Sequence, residues 1–312
     1  MFEMIISVAK RRISVNLVDA PRGTPQCGEV AATGLPRSVC LLFTSMSLQP
    51  TPPVCLCTVR EYHKMHLSSN EAAQNSTMTD RFNAEAADWD SNPFVQEATS
   101  LAFEKLRPHI DAHMAAKDSP VNVLEVGCGT GLLSTLVAPL VHEVVAVDTS
   151  EGMIEMLTAK TAQPDQPHNI TPICKLLEDP EDPALPAGTD GAGGRRKFDL
   201  ILSHLVLHHV PDVKTLLTTM LGCLKPGGRV LLTDFEDFGP EAMWFHPPSK
   251  MDGVERHGIP REWMTSLLKE VGFVQVNVDQ GWTMVKSISG WEEEAGRDSL
   301  PFPFLICEGV RP

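Results

Sequence analysis

The sequence predicts a doubly wound α/β fold on a mostly parallel sheet, and three observations predict it. Short apolar runs alternate with helix-spaced segments from about residue 80 to the end of the chain, as strands joined by crossover helices do. The first run, VNVLEV at 121–126, breaks into the glycine stretch GCGTG at 127–131. Turn and stop signals, KPGG at 225–228 and Gly272, fall between the periodic segments.

The elements follow in order. Residues 94–116 carry helix-spaced apolar positions with a bend expected at Pro108. VNVLEV is a buried strand, and LLSTLVAPL (132–140) the helix after it. EVVAVD (143–148) is the second strand and EGMIEMLTAK (151–160) the second helix. NITPICKLL (169–177) reads as a third strand around Pro172, and FDLILSH (198–204) as a fourth. Between them, the Pro-, Gly- and Ala-rich segment 180–197 reads as a mobile surface loop. PDVKTLLTTMLGCL (211–224) is a helix with proline in its first turn. RVLLTDF (229–235) is the fifth strand, IPREWMTSLLKEVG (259–272) a helix closed by Gly272, and FVQVNVD (273–279) and FPFLICEGV (302–310) the last strands.

Residues 1–79 lack this order and read as an irregular arm, leaving 80–312 as the folded domain. Met78 opens a segment that would begin a compact domain well. The arm carries +2 and the domain −16. So acidic a body disfavours nucleic acid, whose phosphates need clustered Lys and Arg, and favours a small-molecule substrate. No run of apolar residues is long enough for a membrane span. Cys128, Cys174, Cys223 and Cys307 sit in apolar contexts and read as buried thiols. They suit a reducing compartment, hence a cytoplasmic location; the alternative is mitochondrial, with the first 40 residues as a presequence. Oligomeric state is not encoded legibly.

The glycine stretch carries the functional argument. In a doubly wound sheet, ligands bind beyond the carboxyl ends of the strands. Gly127, Gly129 and Gly131 leave room for a ligand against the backbone, with Cys128 between them. A dinucleotide site wants G-x-G-x-x-G; here the spacing is G-x-G-x-G and Leu132 follows. Glu125 stands just before the glycines, where it would repel a diphosphate. A cationic nucleoside without phosphate, S-adenosylmethionine, answers both points. Asp148, ending the second strand beside Thr149, can accept from ribose hydroxyls. Glu178 and Asp179 follow the third strand, within reach of an adenine amino group, and Met153, Leu176 and Leu177 can contact the ring. Ser203 and His204, ending the fourth strand, complete the expected cofactor contacts.

Four segments, VLEVGCGTG, VDTSEGMI, FDLILSHLVLHHVPD and LKPGGRVLLTDF, resemble in sequence and order the class I S-adenosylmethionine-dependent methyltransferases. The likeness is to small-molecule enzymes of the ubiquinone/menaquinone-biosynthesis type. RFNAEAADWDSNP (81–93) is similar to their entry segment and VERHGIPREWMTSLLKEVGF (254–273) to their late helix. The resemblance covers about 80–312. It implies a seven-stranded sheet of order 3-2-1-4-5-7-6 with the last strand antiparallel, and cofactor contacts from Glu125, Gly127, Gly129, Asp148 and the residues around Glu178. The enlarged 180–197 loop and the stretch 280–301, which could cover the substrate side, depart from the pattern.

The expected reaction is transfer of a methyl group to an oxygen, nitrogen or carbon of a small metabolite; the alternative is a non-catalytic cofactor-binding module for a protein partner. Positioning supplies much of the catalysis of such a displacement, and a base is needed only if the acceptor must lose a proton. His208 and His209 are the candidate bases. Trp89, His246 and His257 are the candidate substrate residues. No fixed ligand spacing joins the histidines, so no metal is expected.

Overall fold

A computed structural model describes residues 3–8, 11–16, 79–188 and 193–312. The chain divides into two units, Met1–Leu56 and Cys57–Pro312. In the first, β1 (Glu3–Val8) and β2 (Arg11–Asn16) pair antiparallel with Glu3 opposite Asn16. The irregular arm expected over 1–79 falls largely on 17–78, outside the described residues.

In the second unit, residues 79–89 form helix α1 and Pro93–Ala115 helix α2, which runs on through Pro108. Then come β3 (Asn122–Val126), α3 (Leu132–Val137), β4 (Glu143–Asp148), α4 (Glu151–Thr161), β5 (Ile170–Cys174), β6 (Phe198–His204), α5 (Val213–Cys223) and β7 (Leu224–Phe235). Helix α6 (Arg261–Val271), strand β8 (Val274–Ser287), the short α7 (Glu292–Ala295) and strand β9 (Ser299–Val310) complete it. The seven strands lie in the order β5-β4-β3-β6-β7-β9-β8, which is 3-2-1-4-5-7-6 counted within the sheet. Strands β3 to β7 pair in parallel, and β9 is antiparallel to both its neighbours. The expected topology is therefore found.

The apolar runs are continuous because each central strand is covered on both faces. Val123 joins one core cluster with Leu106, Ile110 and Phe302, while the next residue, Leu124, joins the other with Leu217, Met264 and Leu305. Parallel pairing brings the ends of β3, β4 and β6 to one rim, which places Glu125, Asp148 and His204 there together.

Several elements differ from expectation for local reasons. The helix after the glycines is α-helical only to Val137 and tightens to a 3-10 turn at Ala138–Leu140, with Pro139 inside it. Pro211 lies outside α5: Asp212 is the N-cap, its carboxylate accepting from Thr215 N. Strand β8 runs to Ser287 rather than stopping at Asp279, because Gln280–Gly281 is a bulge and not a turn. A side chain at Gly281 would lie 2.7 Å from Ile306, so glycine here permits a close strand approach. Cys174, expected to be buried, is exposed, because β5 is the edge strand. The segment expected to be a mobile loop is anchored on both sides of 189–192. Leu185 is buried, Arg195 N donates to Glu181, and Arg196 pairs with Glu143.

Candidate active site

A cleft of about 1060 Å³ opens over the carboxyl ends of β3, β4 and β6. The glycine loop on its wall is held by the neighbouring strand. Gly127 N and Cys128 N both donate to Val147 O, and Gly129 N donates to Asp148 Oδ2 at 2.8 Å. The amides of Gly127, Cys128 and Gly129 are thus already spent on protein acceptors, and α3, whose N-terminus would face a phosphate, is only six residues long. The three glycines serve different ends. A side chain at Gly127 would strike Val206 and one at Gly131 would strike Leu157, each at 2.3 Å, so both answer to internal packing. Gly129 faces the cleft, with Trp89 Nε1 the nearest atom at 3.8 Å. Gly131, expected among the cofactor contacts, does not line the cleft.

Glu125 lines the cleft although it is buried, and Ser134 Oγ donates to its Oε2. Burial pushes its carboxyl up to about 8; Asp148 adds to the rise and the Ser134 hydrogen bond opposes it. Asp148 is half-buried, and its carboxyl is also raised by desolvation, against the pull of the Ser150 and Gly129 amides. Two carboxyls that resist ionisation at one rim fit a cation far better than a phosphate. Cys128, Thr149, Met153, Leu176, Leu177, Glu178 and His204 also line the cleft. Ser203 does not: its hydroxyl donates to Val126 O at 2.8 Å, clamping β6 to β3. Asp179 is likewise off the wall.

Helix α1 lies along the cleft. Asn83 Oδ1 accepts from Ser150 Oγ and Gly152 N at the start of α4. Asp90 accepts from Thr130 Oγ1 and pairs with Lys160 at 2.7 Å. Arg81 donates to the carbonyls of Lys250 and Asp252. These bonds hold Trp89 and Phe82 on the wall, edge to face with ring centroids 5.7 Å apart. The stretch 81–93 stood out in the sequence as a motif, but nothing in its spacing showed that Asn83 and Asp90 reach across to the glycine loop.

The far end is a wall of histidines. Leu205, just after β6, has φ 57, a conformation costly for a non-glycine residue. It turns the chain into the 3-10 segment Leu207–His209. His208 is buried, and its Nδ1 lies 2.8 and 3.0 Å from the two Asp234 oxygens. Since the carboxylate only accepts, Nδ1 carries the proton; Nε2 has no partner among the described residues. His209 Nδ1 donates to Gly253 O at 2.7 Å. His246, from the segment after β7, packs against both, its ring centroid 5.1 Å from that of His208 and 5.7 Å from that of His209. Burial pushes His246 down to about 2, His204 down to about 4, and His209 well below its ordinary value. His257 is not part of this wall; it lines a separate small pocket with Arg256 and Trp263. Lys286, on the extended β8, completes the wall over the rings of Phe94 and Phe245. Desolvation and then Lys250 lower its ammonium to about 8. Neither it nor Asp234 was visible from the sequence, because both come from elements distant in the chain.

A doubly wound sheet with an acidic rim at its strand ends and an aromatic-lined cleft suits a cationic nucleoside. Residues 98–278 match the family described as a methyltransferase domain. The chain belongs to that family, the S-adenosylmethionine-dependent methyltransferases. An uncharacterised methyltransferase of Mycobacterium bovis is 33% identical over 113 residues, 36% of this chain and 50% of that protein. A ubiquinone biosynthesis O-methyltransferase of Coxiella burnetii is 34% identical over 112 residues, 36% of this chain and 42% of that protein. The chain thus spans about half the length of the curated relatives it matches. Among solved structures, the YcgJ protein of Bacillus subtilis is similar at 17% identity and a TM-score of 0.49, covering 67% of this chain and 98% of that one.

Proposed function

We propose that this protein transfers the methyl group of S-adenosylmethionine to a small metabolite. The observation that carries the reading is Glu125, a buried carboxyl beside Asp148 on a rim where the amides of Gly127, Cys128 and Gly129 are already taken. Ionising a buried carboxyl is costly, and a ligand bearing positive charge but no phosphate offsets that cost. Bound there, S-adenosylmethionine supplies an electrophilic methyl group on a sulfonium. The chain's own residues orient it: Asp148 accepts at the rim, Gly129 gives backbone access, and Met153 and Leu177 offer apolar surface. Trp89 and Phe82 on α1 shield the cleft from water.

The histidine end is the acceptor's place in this reading. His208 is the side chain there that is placed to take a proton, with Asp234 fixing its tautomer and leaving Nε2 without a partner among the described residues. Lys286 has no carboxylate partner among the described residues, which favours an acceptor with an anionic group or an ionisable hydroxyl. The net negative charge of the domain and the cleft's aromatic lining support a small molecule over nucleic acid. The test is incubation of the purified protein with a metabolite extract and isotopically labelled methyl donor, followed by mass spectrometry. A labelled small product together with S-adenosylhomocysteine is expected; cofactor binding without any transfer would sink the catalytic reading.

A further inference from the structure

Three imidazoles on the acceptor wall meet although nothing in their sequence spacing forecasts it. One ring nitrogen each of His208, His209 and His246 lies within 4.8 Å of the other two. Two of the three rings have their outer nitrogen fixed as a donor: His208 Nδ1 on the Asp234 carboxylate and His209 Nδ1 on the Gly253 carbonyl. Metal-binding histidines are oriented in this way, with the second nitrogen turned to the ion. His208 is 2% exposed, yet its Nε2 has no partner among the described residues, and the same holds for His246 Nδ1. Buried polar atoms without partners are rare and call for a ligand. His246 is held in place through its own backbone, whose carbonyl accepts from Trp291 Nε1 at 2.8 Å.

We propose that His208, His209 and His246 form a binding site for a divalent transition ion of the zinc class, open to the cleft at a fourth position. Neutral imidazoles suit zinc, cobalt and nickel, and three of them plus an open position is the arrangement of a non-structural zinc site. Zinc–nitrogen bonds of about 2.1 Å set tetrahedral nitrogens about 3.4 Å apart, so the rings must draw in by more than ~1 Å to close on the ion. Arg81 and Lys286 line the same cleft and oppose a cation; the Asp234 carboxylate behind His208 favours it. Ion binding is tested independently of the methyl-transfer reading, and an ion on His208 Nε2 would take the place of that atom's role as a base. Only its use, to hold an acceptor oxygen, nitrogen or sulfur at the open position, rests on that reading.

The experiment uses the full chain, stripped with a chelator, then titrated with zinc chloride by calorimetry and with cobalt chloride by visible absorption. One ion per chain at micromolar affinity or tighter is expected. The cobalt spectrum should show ligand-field bands without a thiolate charge-transfer band, which separates this site from the cysteines. His246→Ala should weaken zinc binding by about tenfold or more, and Asp234→Asn, which keeps the side chain's shape, should weaken it as well; melting curves establish that each variant folds. Failure of the wild type to take up either ion, or unchanged affinity in folded His246→Ala, overturns the proposal. Loss of transfer in His208→Ala with no zinc uptake by the wild type also overturns it, assigning that residue as a base alone. Calorimetry with S-adenosylmethionine on the same preparation separates the two readings: zinc bound and cofactor refused sinks methyl transfer, and the converse sinks the ion site.

Discussion

Glu125 makes the cleft sensitive to pH. Its carboxyl titrates near 8 because burial disfavours the anion, so at neutral pH it mostly carries its proton. A cationic ligand stabilises only the ionised form, and binding must therefore expel that proton below pH 8. Affinity for S-adenosylmethionine is expected to rise by up to about tenfold per pH unit as pH climbs toward 8 and to level off above it. Glu125→Gln should bind more weakly and lack this component. The difference between wild type and variant at each pH, read by calorimetry, removes the titration of the ligand's own amino group; parallel curves for the two would refute the role. This residue was legible in the sequence because its placement, a charge between an apolar run and a glycine loop, is local. Asp148, Met153 and Leu177, named for the same local reason, also line the cleft. Ser203, Gly131 and His257 lie off the cleft: the Ser203 hydroxyl turns inward to Val126 O, Gly131 answers to packing against Leu157, and the chain after β7 carries His257 to a separate pocket.

At the scale of elements, the glycine loop combines two demands that one motif disguises. Gly131 has φ 76 and its missing side chain is replaced by Leu157 of α4, whereas Gly129 has φ 54 and faces the cleft. Both substitutions to alanine carry backbone strain, but only Gly131→Ala also overpacks the α3–α4 contact. It is expected to lower stability by about 1–3 kcal/mol more than Gly129→Ala does. Chemical denaturation checks this; equal losses would mean the loop relaxes away from Leu157. The strands and helices up to β7 were readable because parallel strands buried on both faces make unbroken apolar runs. The extension of β8 was not. Its residues beyond Asp279 alternate exposed and buried positions around a bulge, and a glycine in such a context looks like a turn until the neighbour that needs the space, Ile306, is known. That extension matters because it carries Lys286 into the site.

At the scale of the molecule, the question is how much chain the cleft needs. The sequence suggested a folded domain from about residue 80, with Met78 as a natural beginning. The contacts of α1 and of Asp90 just after it bear on that question. Arg81, Asn83, Trp89 and Asp90 reach the segment after β7, the start of α4, the open side of Gly129 and the glycine loop, respectively. Each would be lost if the chain started at α2, while the core strands β3 to β9 and their covering helices would remain. A chain beginning at Met78 is therefore expected to bind S-adenosylmethionine as tightly as the full chain. One beginning at Pro93 should bind about tenfold more weakly or worse, roughly 1.4 kcal/mol, while still unfolding cooperatively. Calorimetry and thermal melts on the three chains decide it. Full affinity in the Pro93 chain would remove α1 from the site, and weakened binding in the Met78 chain would show that residues before it contribute to holding the cofactor.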